Sequence, residues 1–112
     1  MKLGNEEADE YVKKLISNSE NGLLVKAREY VREEDRMHNF NEAARIKNIS
    51  REQAIDNMRL KHIVSTNDIR KDITEGKLPA EATVMEKFGN TINYYILEAM
   101  SILHKVNNSK KE

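Results

Sequence analysis

The chain has 112 residues, with 19 basic and 19 acidic side chains that alternate in sign along the sequence. That balance excludes the basic stripe with which a protein grips duplex DNA or an anionic membrane surface. The absence of cysteine excludes disulfides, thiol catalysis and thiolate zinc sites.

One proline, four glycines and about a third charged residues describe a chain built for helices. No apolar leader precedes Lys2, Glu6 and Glu7, and no run approaches the length of a membrane span, so a soluble cytoplasmic protein is expected. Residues 1–106 read as a single helical domain and residues 107–112, NNSKKE, as a flexible tail.

Asn5 is placed to cap a first helix, with Glu6 and Glu7 in its first turn and Ala8, Tyr11, Val12, Leu15 and Ile16 at helical spacing. The polar string Ser17 to Gly22 then breaks the period. A second helix is expected from Leu23, presenting Ala27, Tyr30, Val31 and Glu34 on one face before it dissolves into REEDRMHNF. Asn39 or Asn41 can open a short third helix that Asn48 closes.

Ser50-Arg51-Glu52-Gln53 has the form of a capping box, in which the Ser50 hydroxyl and the Gln53 side chain satisfy each other's backbone N–H groups. The helix it opens runs to about Glu75, and Gly76 stands where a left-handed closing residue is usual. Along it Ala54, Ile55, Met58, His62, Ser65, Ile69 and Ile73 share a face, bordered by Lys61, Asp68 and Asp72. His62 reads as a hydrogen-bonded core histidine.

After Pro79 comes the most apolar helix, up to Val106. Its polar interruptions Glu86, Asn90 and Asn93 form one stripe. Met85, Gly89, Ile92, Ile96, Ala99 and Leu103 flank the stripe, and Val84, Phe88, Tyr95, Ile102 and Val106 lie opposite. Two separate partners, from this chain or from neighbouring subunits, are expected to cover it. The fold class is therefore all-α, a helical bundle of about four to five helices, with surplus apolar faces that favour a homo-oligomer.

Facing seams of Lys61, Asp68 and Asp72 against Glu86, Asn90 and Asn93 supply what a Mg²⁺ site needs, with Glu33, Glu34 and Asp35 as further contributors. A lysine beside them can balance phosphate charge. The histidines His38, His62 and His104 lack ligand spacing, and there is no Gly-rich phosphate loop. Arg28, Arg32 and Arg36 recur every four residues along one face.

The succession EYVREEDRMHNFNEAARI, then Met58-x-x-Lys61, then EKFGNTINYYIL resembles small phage and prophage proteins related to the nucleotide-modification-associated domain. More remotely it resembles the all-α MazG-like nucleotide pyrophosphohydrolases. The resemblance covers about residues 28 to 104 and implies Mg²⁺-dependent release of pyrophosphate from a nucleoside triphosphate by an activated water.

Carried over residue by residue, it implies Tyr30, Glu34, Asp35, Asn39, Phe40, Lys61, Glu86, Asn93 and Tyr94. Taken with the facing seams and the arginine row, the candidates are Glu86 and Asp68 for catalysis, Glu34, Asp35, Asp72 and Glu86 for the metal, and Tyr30, Arg36, Asn39, Phe40, Lys61, Asn90, Asn93 and Tyr94 for the nucleotide. The protein would then act in the cytoplasm of a bacterium or phage-infected cell. Asn90, however, stands where such a family places an aspartate; it brings no charge and cannot act as a base. This opens the alternative of a sponge that holds a cyclic nucleotide or ADP-ribose-type immune signal uncleaved, an anti-defence role. A third reading is an adaptor whose apolar surplus is a partner interface.

Overall fold

The computed structural model describes residues 1–30 and 34–110, apart from the Tyr30 side chain. It consists of α1 (Asn5–Glu20), a π segment (Asn21–Val25), a 3-10 segment (Lys26–Tyr30), α2 (His38–Lys47), α3 (Arg51–Thr74) and α4 (Glu81–Ser109). The described residues are all-helical, with no strand. None of their helices is long and apolar enough to cross a membrane.

The expected break at Ser17 to Gly22 does not occur. Glu20, Asn21 and Lys26 all keep right-handed helical dihedrals, and the Lys26 N–H donates to the carbonyls of Asn21 and Gly22. The chain widens into a π turn and stays helical, so the first two expected helices are one continuous rod. The polar string misled because its small residues face the neighbouring helix: Ser19 is buried, and a Cβ added at Gly22 would lie 2.8 Å from Asn93 Nδ2.

Asp35 opens α2. Its Oδ1 accepts from the Met37 N–H at 2.9 Å, its Oδ2 accepts from Asn41 Nδ2 at 3.2 Å, and its carbonyl accepts from the His38 N–H at 3.1 Å. The helix therefore begins before Asn39 and Asn41, which were expected to open it. Asn48 closes it in the left-handed conformation, as expected, with φ 54°.

At the start of α3 the Ser50 hydroxyl accepts from the Gln53 N–H at 3.0 Å. The return half of the capping box is missing, because Gln53 Nε2 donates instead to Asn57 Oδ1 at 2.9 Å. Gly76 follows the end of α3 with φ 84°, the left-handed position anticipated.

α4 is the central element. Paired contacts with α3 run in opposite directions, Arg51 and Glu52 meeting Ser101 and Lys105, Arg59 meeting Glu98, and Arg70 reaching Phe88. Contacts with α1 run in parallel, Lys14 meeting Glu81 at 3.1 Å and Asn18 donating to the Met85 carbonyl at 3.3 Å. Gly89 lets the two helices close, since a Cβ there would collide with the Asn18 amide.

The flank bearing Met85, Gly89, Ile92 and Ile96 is thus the one that α1 and the π turn cover. On the other side α3 packs over Tyr94, Glu98 and Ser101, with Arg70 reaching Phe88 and Arg59 the Tyr95 ring, and Tyr95, Ile102 and Val106 are exposed on the single chain. Among the described residues the buried hydrophobic side chains are few: Met37, Phe40, Ala44, Ala54, Ile55 and Ile69. Met37, Phe40 and Ile55 form the core where α2, α3 and α4 meet, with Met58, Tyr94 and Leu97 packed against them.

Candidate functional site

Two of the residues implied to bind nucleotide, Phe40 and Tyr94, meet in this core. Phe40, placed by α2, meets Tyr94 of α4 edge to face with ring centroids 6.4 Å apart. The other contact of Tyr94 is a stack with His62 of α3, centroids 4.9 Å apart and ring planes 29° from parallel. Lys61 adjoins His62 on α3, and its side chain is exposed. Lys87, two turns before Tyr94, comes from α4.

The electrostatics of the stack follow from that placement. Burial lowers the His62 pKa below its ordinary value, and the charges of Lys61 and Lys87 lower it further. Both lysines are therefore close enough to act on the ring. Burial raises the Tyr94 pKa, keeping the phenol neutral. The result is an aromatic stack whose neutral imidazole lies within the field of Lys61 and of Lys87, the latter paired with Glu86.

The polar stripe of α4 divides. Glu86 is exposed and pairs with Lys87, Oε1 to Nζ 3.4 Å. Asn90 is half-buried. Asn93 faces the π turn at Gly22, and its Oδ1 is buried without a hydrogen-bond partner among the described residues. A buried amide oxygen in that condition is an unsatisfied acceptor on the α1 side of α4.

Other implied residues lie elsewhere. Arg36 donates to the Leu23 carbonyl, pinning the approach to α2 against the π turn. Asn39 is exposed on the first turn of α2. Asp68 and Asp72 are exposed on α3. Glu34 is exposed with φ 58°, and Asp35 is engaged in opening α2. The Tyr30 side chain, Arg32 and Glu33 lie outside the described residues. Among the described residues no group of three or more His, Asp or Glu side chains could hold a metal ion, so a Mg²⁺ centre has no such ligand group among them.

Two residues escaped the sequence reading. His62 stacks on an aromatic ring, where a hydrogen-bonded core role was expected. Lys87 was not singled out because it sits beside the polar stripe and not within it. The signal was available: Lys87 and Tyr94 are seven residues apart, two turns along the same side of one helix.

No protein family, curated protein or solved structure matches this chain.

Proposed function

We propose that the chain binds a nucleotide-type ligand at the Phe40–Tyr94–His62 stack and holds it without cleaving it. The observation that carries this reading is the aromatic cluster itself, Tyr94 meeting Phe40 edge to face and stacking on His62, with the charges of Lys61 on α3 and Lys87 on α4 both felt by the His62 ring. Aromatic faces hold a base by stacking, and two cations neutralise phosphate. The sequence resemblance to nucleotide-handling helical proteins supports the same ligand class.

Retention is favoured over hydrolysis by the acidic residues. A hydrolytic centre needs carboxylates gathered around the reacting phosphate. Asp35 is committed to the start of α2, Glu86 is paired with Lys87, and Asp68 and Asp72 stand exposed. Asn90 cannot serve as a base. Holding an intact nucleotide away from its receptor is the activity of a sponge, the anti-defence role raised by the sequence.

The test is a mass balance. Purified protein is mixed with dNTPs, NTPs, cyclic nucleotides and ADP-ribose, with and without Mg²⁺, and the filtrate and heat-denatured retentate are analysed by mass spectrometry. The expected result is an intact ligand depleted from the filtrate and recovered on denaturation, independently of Mg²⁺. A monophosphate with pyrophosphate, appearing only with Mg²⁺, would replace retention by hydrolysis. A panel recovered whole in the filtrate would reject nucleotide binding.

A further inference from the structure

A folded monomer of this mass exposes about 6,300 Å² of surface. This chain exposes 8654 Å², about 2,300 Å² more. Its radius of gyration is 16.8 Å, against about 13 Å for a compact domain of the same length. Exposed apolar side chains include those of a groove between α1, the π turn and α4. Leu15, Ile16, Leu23, Leu24, Ile92 and Ile96 line it, enclosing about 300 Å³ with almost no polar surface. Ile16, Leu24, Ile92 and Ile96 all remain exposed.

We infer that this groove is the interface with a second copy of the same chain, each copy seating apolar side chains in the groove of the other. Three observations favour a second copy over another partner. The surplus area is the amount that one protomer of an obligate homodimer covers, well above the roughly 800 Å² per partner of a standard complex. Among the described residues only six hydrophobic side chains are buried, so a single chain has little core of its own and gains from covering the groove. The occupant always present in equal amount is another copy. The net charge of zero also lets two identical chains approach without long-range repulsion. This inference does not rest on nucleotide binding.

The chain has no cysteine, so single cysteines report on the groove directly. The experiment combines the mass of the intact full-length protein, by native mass spectrometry and sedimentation, with maleimide labelling of Ile96→Cys and Leu78→Cys. Leu78, 83% exposed in the α3–α4 connection, is the reference position. The expected result is an even multiple of the chain mass, with Ile96→Cys labelling about tenfold or more slower than Leu78→Cys until denaturant is added.

Ile96→Glu is expected to move the mass toward one chain or to abolish folding. Ile96→Cys keeps the test decisive in the second case. A monomeric wild type would overturn the inference, as would an oligomer in which both cysteines label equally fast. Slow labelling at monomer mass would also overturn it, by assigning the cover to something other than a second copy.

Discussion

The Arg59 guanidinium lies 4.0 Å from the centroid of the Tyr95 ring, while its terminal nitrogens donate to Glu98 at 2.7 Å and to Asp56. The Arg59 side chain is only 5% exposed, so α3 and α4 are joined by a charge taken out of water. Burial works against that charge, but the two carboxylates outweigh it and raise the pKa overall. Arg59→Met is expected to destabilise the fold by about 2–4 kcal/mol, because it leaves the half-buried Glu98 unpaired. Tyr95→Leu is expected to cost about 1 kcal/mol, the worth of the cation–π contact. Urea unfolding of both variants checks the order. Equal costs would mean that the ion pair contributes little.

A second clasp lies nearer the start of α3. Fully buried Ser101 accepts from Arg51 Nε at 2.7 Å and donates to Glu52, whose other oxygen accepts from Lys105 at 2.5 Å. The Lys105 and Ser101 hydrogen bonds hold the Glu52 pKa down, from 4.5 to about 2. A carboxylate whose pKa is lower in the folded state binds fewer protons there. Its stabilisation is present above the unfolded value and is lost as pH falls through the folded one. Stability is expected to drop by up to about 3 kcal/mol between pH 5 and 2. Glu52→Gln should flatten that part of the profile, and an unchanged acid profile in this variant would remove Glu52 from the account.

Asn18 and Gly89 form a matched pair. Gly89→Ala gains about 1 kcal/mol of helix propensity but drives its methyl into the Asn18 amide, which must give up its bond to Met85. The single variant is expected to be destabilised by about 1 kcal/mol, while Gly89→Ala in an Asn18→Ala background should be stabilising. Thermal unfolding of the four proteins gives the sign of the coupling. Additive effects would mean that the close approach is unimportant.

Helical class, the left-handed closures at Asn48 and Gly76, and the Ser50 cap were legible because each depends on neighbours within four residues. The continuity of α1 through the π turn was not. Ser17 to Gly22 has the composition of a loop, and only the tertiary fit of Ser19 and Gly22 against α4 keeps it helical. The candidate site was legible in part. Phe40 and Tyr94 meet, with Lys61 next in sequence to the His62 that stacks on Tyr94, whereas Asp35 and Arg36 serve local structure. Side chains that can either cap a helix or hold a ligand look the same in sequence.

His62 gives the site a pH signature. Its pKa is lowered in the fold, so the neutral ring is favoured there and the associated stability is lost as pH falls below the ordinary histidine value. Ligand binding is expected to move the other way. Protonation adds a cation beside Lys61 and Lys87, so retention of a phosphate-bearing ligand should tighten as pH falls below the ordinary histidine value. His62→Gln should remove that dependence, and a pH-dependence that survives in the variant would place its origin elsewhere.

The claim that the aromatic stack and its two lysines form the ligand site is tested most directly by amide and aromatic NMR of the full-length protein, titrated with the nucleotide panel. The account predicts saturable shifts concentrated at Phe40, Lys61, His62, Lys87 and Tyr94, reduced about tenfold in affinity by Lys61→Ala. Saturable shifts confined to other parts of the chain, or none with any nucleotide, would contradict it.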